Sequence, residues 1–426
     1  MTIAVFTVSL LAAMAIGMPV AFALIVCGIA LMHQLSIFDA QIVAQNIING
    51  ADSFPLMAVP FFVLAGEVMN TGGLSKRIVD AALALVGHVR GGLGYVAILA
   101  ACILSALSGS AVADAAALSS LLIPMMVRAG HNKARSGGLI AASGVIGPVI
   151  PPSIGFVIFG VVGGVSITKL FLAGIFPGLM IGAALACAWW WVARNEDVAP
   201  LPRQTWAQTG RAALDGAWAL VLPAIILFGL KFGVFTPTEA AVVAAVYSLF
   251  VATCVYRELK IAQLYQTFVT AALTTSVIMF LIAAALVSSW LITVSEIATQ
   301  VVDLLQPFLG NKILLMAVIM VIVVIVGTAL DMTPTILILT PVLMPIIKSA
   351  GIDPVYFGVL FIINNSIGLI TPPVGVVLNV VAGVARIPMG DLIKASWPFL
   401  LAELIVLALM VIFPSLVMVP ARWFGF

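Results

Sequence analysis

The sequence predicts an all-α polytopic membrane protein with about 11–12 transmembrane segments in two inverted repeats, and three observations support this. Charged residues are 8% of the 426 positions and hydrophobic residues 63%, so the bilayer must be the solvent for most of the surface. Apolar runs of about 20 residues, enough to cross a hydrocarbon core, recur from end to end. The chain also matches itself at a fixed offset, described below.

Composition excludes several functional classes. The net charge is only +2 and the 18 basic residues are spread among short polar junctions, so nothing indicates nucleic-acid binding. The four cysteines lie singly in apolar runs, without the spacing of a metal or redox site. No cofactor is expected beyond coupling ions. The first basic residue is Lys76, so the apolar start 2–32 lacks the positive region of a cleaved signal peptide and is expected to remain as membrane span.

The apolar runs are expected to be helices, because an open sheet edge is excluded from lipid and barrel strands would alternate in polarity. They cover 3–32, 56–71, 92–107, 138–163, 170–193, 217–234, 237–255, 268–292, 313–329, 355–370, 374–385 and 396–420. Segment 73–90 is too polar to span and predicts an interfacial amphipathic helix. Junction 33–55 has no Lys or Arg, whereas 194–211 has three arginines, so the first is predicted to be periplasmic and the second cytoplasmic.

An internal repeat relates the two halves of the chain. A shift of 221 residues superimposes Leu122 on Leu343, Pro124 on Pro345, Gly147 on Gly368, Pro151 on Pro372 and Pro152 on Pro373. Corresponding Pro- and Gly-interrupted apolar segments in two halves indicate the midplane site of a secondary transporter. We therefore predict a first half over 1–210 and a second over 211–426, within a single integral membrane unit.

Each half is predicted to contain one broken helix, over about 138–163 and about 357–385. Proline removes a backbone donor and pushes the preceding residue out of the helical region, which leaves carbonyl groups free at mid-membrane. Such carbonyls are tolerated only inside protein or beside water, where they can bind a hard cation such as sodium. Segments 147–153 and 368–375 are therefore candidate ion-binding breaks. The alternative is a pair of structural kinks.

A short polar insertion precedes each break and predicts a re-entrant hairpin, over about 108–130 in the first half and about 329–351 in the second. The hairpin tips would bring Ser108, Ser110, Asp331 and Thr333 close to the break of their own half. Asp114 and Asp331 are intramembrane acids and thus functional candidates. The sequence leaves open whether each is a ligand or a hairpin cap.

Other acids in or beside apolar runs have simpler interpretations. Glu239 follows Thr236 and Pro237, the pattern of a capped helix start. Glu403 borders an apolar run where it could snorkel, pair or cap.

The same residues give the chain a family resemblance. It resembles the large permease subunit of tripartite ATP-independent periplasmic (TRAP) transporters through five motifs spread along essentially the whole chain. These lie at 147–166, 233–241, 331–345, 351–358 and 367–375. Segments 51–54, 73–80 and 361–368 resemble the permeases of the diketogulonate type.

The resemblance implies an elevator-type sodium symporter in the bacterial inner membrane, with a small four-helix membrane subunit as partner. A periplasmic binding protein would deliver a small carboxylate, with keto sugar acids favoured. By motif, a second-half sodium site would use Gly327, Gly368, Thr371 and Val374, and the repeat adds Ala106, Gly147, Ile150 and Ser153. The substrate-binding candidates are Ser108, Ser110, Asp114, Asp331, Thr333 and Asn365. The chain departs from the family pattern in having Ser366 where many members have an acid and Val377 where they have asparagine.

Three alternative functions predict different sequence features. An intramembrane enzyme is not expected, because the chain lacks an HExxH motif and its two intramembrane acids lack the Gly-Asp pairing of an aspartyl protease. A channel would normally need a ring of identical subunits, whereas paired hairpins and breaks suit alternating access. A stand-alone sodium/carboxylate symporter shares the architecture and is separated only by the resemblance.

Overall fold

Apolar helices form this molecule, and no β-strand occurs among the described residues. A computed structural model describes residues 2–194, 196, 198 and 200–423, without the side chains of 298 and 303–305. The first half contains α1 (Thr2–Ala15), α2 (Val20–Gln34), α3 (Ala40–Ala51), α4 (Ala58–Thr71), α5 (Leu74–Val86), α6 (Gly92–Ser108), α7 (Ala111–Arg128), α8 (Lys133–Gly144), α9 (Ile154–Gly163) and α10 (Ile167–Ala193). The second half contains α11 (Trp206–Lys231), α12 (Pro237–Phe250), α13 (Ile261–Val294), α14 (Ile297–Leu305), α15 (Lys312–Ala329), α16 (Met332–Ser349), α17 (Pro354–Gly368), α18 (Val376–Ala385), α19 (Met389–Ile412) and α20 (Ser415–Trp423).

The sequence offset reappears in the helix boundaries. Adding 221 to the bounds of α7 gives those of α16. The same shift brings α6 within one residue of α15, and it superimposes α3 and α4 together on the single long helix α13. Each half thus repeats the order of one antiparallel helix pair, one broken helix and one long closing helix, which is α10 or α19.

Polar residues set several helix starts. The predicted start at Thr236 is confirmed: its hydroxyl oxygen accepts from the Glu239 N–H at 3.3 Å, and the Glu239 carboxylate accepts from the Thr236 N–H at 2.8 Å. This reciprocal capping box satisfies donors that would otherwise be unpaired at the helix start. Ser110 and Ser153 similarly cap α7 and α9. Glu239 therefore has a structural role.

The long apolar run 3–32 differs from the sequence expectation because it is divided between α1 and α2. Gly17 has φ +84° and Pro19 has no N–H to donate, so the helix cannot continue through them. Within the described part of the chain, nine helical segments are long and apolar enough to span a membrane, and the other apolar helices are shorter. Segment 73–90, expected to be an interfacial helix, contains the amphipathic α5.

Most of the helices pack in two groups, and α5 and α14 each contact both groups. The outer group consists of α1–α4 with α11–α13, in which α4 packs on α12 and α13 contacts α2, α3 and α4. The core group consists of α6–α10 with α15–α20. Within it α7 packs on α18 and, by the repeat, α16 packs on α9. Each antiparallel pair therefore contacts the broken helix of the other half as well as its own.

Candidate functional site

The first helix break separates α8 from α9 over residues 145–153. Gly147 donates to the Gly144 carbonyl at 3.0 Å in a tightened turn, and Pro148 has no N–H to donate. The Ile150 side chain packs against Gly178 of α10. Ser153 is fully buried, and its hydroxyl oxygen caps α9 by accepting from the Phe156 N–H at 3.2 Å. The break therefore ends in a fixed helix N-terminus.

The turn between α6 and α7, residues 108–110, lies directly against this break. A β-carbon built on Gly109 would lie 2.6 Å from the Pro152 carbonyl oxygen and 3.2 Å from the Ser153 Cα. Gly109 also has φ +62°, a left-handed conformation that disfavours side chains. Glycine is therefore required here both by backbone conformation and by close approach. We refer to residues 106–114 as the first tip.

Asp114 joins this tip to the break. Its Oδ1 accepts from the Ser108 hydroxyl at 2.5 Å, and the residue is 3% exposed. Its Oδ2 has no hydrogen-bond partner among the described residues, and a β-carbon on Gly147 would lie 2.8 Å from it. Ser110, not Asp114, is the N-cap of α7. A buried oxygen without a donor, beside a helix break, is a feature expected of a cation ligand.

The second break, residues 369–375, separates α17 from α18, and Gly368, the last residue of α17, lies against Gly327 near the end of α15. A β-carbon on Gly368 would lie 2.8–2.9 Å from the backbone carbonyl carbon, Cα and carbonyl oxygen of Gly327. The two glycines therefore allow two backbones to meet. Residues 327–333 are called the second tip.

Asn365 connects the second tip to α17. Its amide nitrogen donates to the Met332 carbonyl at 3.1 Å, while its Oδ1 is buried and lacks a partner in the described structure. That Oδ1 would lie 3.2 Å from a β-carbon on Gly327. The Thr371 hydroxyl donates to the Ile367 carbonyl at 2.8 Å, which leaves its oxygen lone pairs available. Gly327, Gly368, Asn365 and Thr371 thus gather around one tip and one break, as in the first half.

Three predicted residues are less clearly part of these clusters. Asp331 is exposed and caps α16, accepting from the Met332 N–H at 2.8 Å. Thr333 lies in the first turn of α16 and is partly buried. The Val374 side chain is 42% exposed, so any contribution from it would come through its backbone, whose carbonyl accepts from Asn379 at 2.8 Å. Ala106, by contrast, is buried near the end of α6, where the first tip begins.

Helix ends give the site its electrostatic character. The N-termini of α7 and α9 meet where Gly109 approaches Ser153, and a β-carbon on Gly155 in α9 would lie 2.8 Å from the Met332 sulfur in the first turn of α16. Three helix N-termini, each with a partial positive charge, therefore come close together and favour an anion. The C-termini of α6, α8, α15 and α17 bring partial negative charge beside the same breaks and favour a cation.

Sequence reasoning missed several contributors. Gly109, Gly144 and Met332 form close contacts between tips and breaks. The glycines and the repeat offset were the only sequence features that pointed to these contacts. Contacts made through the backbone leave no pattern of side chains from which they could be predicted. Within the described residues no group of three or more His, Cys, Asp or Glu side chains could hold a transition metal.

Comparison with known proteins places this geometry in a family. The model of the "Tripartite ATP-independent periplasmic transporter, DctM component" matches residues 7–416. The 2,3-diketo-L-gulonate TRAP transporter large permease protein YiaN of Escherichia coli is 55% identical over 423 residues, covering 99% of this chain and 100% of that protein. The sialic acid TRAP transporter large permease protein of Vibrio cholerae is 37% identical over 411 residues, covering 96% of each chain.

A further relative and a solved structure extend the comparison. The C4-dicarboxylate TRAP transporter large permease protein of Pseudomonas aeruginosa is 37% identical over 385 residues, covering 90% of each chain. The crystal structure of the Alcanivorax borkumensis YdaH transporter has the same fold with a TM-score of 0.62, at 17% identity and with 91% and 90% of the two chains covered. The expected family and all-α membrane fold are confirmed, and the chain belongs to the DctM family of large permease components of TRAP transporters.

Proposed function

We propose that this permease couples the inward movement of sodium to the uptake of a small carboxylate across the bacterial inner membrane. The observation that carries the proposal is the pairing of each hairpin tip with the helix break of its own half. Each pair combines close backbone contact with one buried oxygen that has no donor in the described structure, Asp114 Oδ2 in one and Asn365 Oδ1 in the other. Sodium is a hard cation that prefers such oxygen ligands.

The coupling ion is proposed to be sodium and not a proton. A proton relay needs a chain of titratable groups, whereas the two tip and break pairs offer mainly backbone oxygens with Asp114 and Asp331. The proposed ion-binding set is the one predicted from the sequence, which acts largely through backbone oxygens.

The substrate is proposed to be a small carboxylate because three helix N-termini converge between the tips. The relatives are named for 2,3-diketo-L-gulonate, sialic acid and C4-dicarboxylates, all of which carry carboxylate groups. The relative with the highest identity among these three is named for a keto sugar acid, which makes that class the first to test. Ser108, Ser110 and Asn365 supply polar groups beside the N-termini.

The partners are proposed from family membership. A small membrane subunit would bind beside the outer group, and a periplasmic binding protein would deliver the substrate. Alternating access would move the core group relative to the outer group, carrying both tips and both breaks together. The competing possibility is a stand-alone sodium/carboxylate symporter that takes free substrate.

Reconstituted uptake tests the proposal. The permease and its small subunit would be placed in liposomes, with labelled keto sugar acid and the binding protein outside. Uptake is expected to require an inward sodium gradient and the binding protein. Equal uptake on a proton gradient without sodium would overturn sodium coupling, and uptake of free substrate without the binding protein would favour the stand-alone symporter.

A further inference from the structure

Glu403 in α19 has an environment unlike that of the acids at the helix ends. It is 0% exposed, and neither carboxyl oxygen has a hydrogen-bond partner in the part of the chain that the structure describes. The sequence-based interpretation, that it snorkels, pairs or caps, is therefore wrong. The repeat places Gly182 at the equivalent position of α10, so the first half has no counterpart to this acid.

The position of Glu403 on α19 follows from its neighbours along one face. Leu392 lies eleven residues earlier, about three turns, and its Cδ1 would be 3.0 Å from a β-carbon on Gly137 of α8. Met410 lies seven residues later, about two turns, and its carbonyl accepts from the Tyr356 hydroxyl of α17 at 2.9 Å. Glu403 thus lies on the face between the contact to α8 and the contact to α17, which are the first halves of the two broken helices.

This face offers little else that could stabilise a charge. Its buried residues are apolar except for Ser396, whose hydroxyl donates to the Leu392 carbonyl of its own helix at 2.8 Å. Phe399, one turn from Glu403, stacks on Trp189 with ring centroids 6.3 Å apart. An ionised carboxylate without donors or a cation is strongly disfavoured in such surroundings, and the neutral acid is favoured instead. Sodium would need several further oxygen ligands, whereas a proton needs only one oxygen.

Charged and titratable groups on the elements packed against α19 lie at helix ends and are mostly engaged elsewhere. On α8, the Lys133 amine donates to the Arg386 carbonyl and Arg135 pairs with Glu196 at 3.0 Å. On α15, Lys312 donates to the Gly351 carbonyl. The remaining groups are Lys169 and exposed Cys187 on α10, Tyr356 on α17, Arg422 on α20, and Asp391 and Lys394 on α19 itself; the span of α18 contains none. None of them is a hydrogen-bond partner of the Glu403 carboxyl oxygens.

We propose that Glu403 is a proton-binding site inside the core group, and that this site must hold its proton for transport to proceed. Ionisation would break the carboxyl O–H bond, leave the electron pair on the carboxylate and pass the proton to water. The resulting charge would lie in the packed interface that joins α8 to α17 through α19. Since those helices carry both breaks, loss of the proton would disturb both tip and break pairs together.

The proposal predicts an alkaline limit on transport. The neutral acid is present at low pH and is lost as the pH rises, so the rate of uptake should fall by about tenfold for each pH unit above the midpoint of that loss. Glu403→Gln keeps the shape of the side chain and is neutral at every pH. It should therefore transport at neutral pH and keep its rate where wild-type uptake has fallen.

The first arm of the test measures uptake against pH in liposomes with saturating sodium and the same binding protein throughout. Asp391→Asn, which removes an exposed acid from the same helix, is the matched control and should keep the wild-type profile. The proposal is overturned if wild-type uptake has no alkaline fall, or if Glu403→Gln falls in parallel with wild type.

The second arm needs no transport, so it also distinguishes failure of this proposal from failure of sodium coupling. Infrared spectra of the purified wild-type permease, with and without carbon-13 glutamate, should contain a protonated carboxylic acid band at neutral pH that shifts with the label. If the band is absent from the purified Glu403→Gln variant, it is assigned to Glu403. Absence of a label-sensitive acid band at neutral pH would contradict the proposal.

Discussion

Replacing Gly368 by alanine adds one methyl group where two backbones meet. The added β-carbon would lie 2.8 Å from the Gly327 carbonyl carbon and 2.9 Å from its oxygen, inside the van der Waals limit. Neither atom belongs to a flexible side chain, so the second tip must move away from the second break. Overpacking of this kind typically costs about 1–3 kcal/mol. If this cost destabilises the cation-bound state alone, the sodium concentration for half-maximal uptake rises roughly 5- to 150-fold.

The matched control is Gly383→Ala in α18, in the same half of the chain. Apart from its chain neighbours and the backbone of its own helix, no atom of the described residues lies within 4 Å of a β-carbon at Gly383, so the same substitution there meets open space. Both variants would be compared by uptake against sodium concentration, with membrane insertion measured separately. We expect a raised sodium requirement for Gly368→Ala and a wild-type curve for Gly383→Ala. An unchanged curve for a correctly inserted Gly368→Ala would mean that the contact between tip and break has no role in binding sodium.

Three further substitutions give distinct expectations. Thr371→Val keeps the shape of the side chain but removes its oxygen, so uptake should need about tenfold more sodium, whereas Thr371→Ser should restore the wild-type curve. Asp114→Asn replaces a buried carboxyl group beside Gly147 with a neutral amide and should weaken sodium activation of uptake; a wild-type response would leave Asp114 with only its structural bond to Ser108. Thr236→Ala removes a helix cap and should lower stability by about 1 kcal/mol without changing the sodium curve, as measured by thermal unfolding and uptake.

The parts of the fold that follow from backbone chemistry could be predicted from the sequence. A double proline in an apolar run must interrupt the helix, and repetition at a fixed offset predicts that the interruption occurs twice. The division of 3–32 at Gly17 was missed because a single glycine is common inside membrane helices. The two double-proline breaks could therefore be predicted from the sequence, whereas the single break at Gly17 could not.

Side-chain environments were harder to predict. Asp114 and Asp331 both lie near a helix start, but Asp114 is inside α7 and buried, with one oxygen unpaired among the described residues, whereas Asp331 is the exposed N-cap of α16. Glu403 is buried against protein. The sequence could not predict this, because an apolar run has the same composition whether its face contacts lipid or another helix. Only the packing of distant segments separates these cases.

Hydrogen exchange of the purified permease, measured by mass spectrometry in sodium and in potassium, tests the central claim most directly. Sodium binding at both tip and break pairs should slow amide exchange at 106–114, 145–153, 327–333 and 366–375. The outer helices α1 and α11 should be unaffected, and potassium should give no protection. Equal exchange in sodium and potassium at all four segments would contradict sodium binding at these breaks.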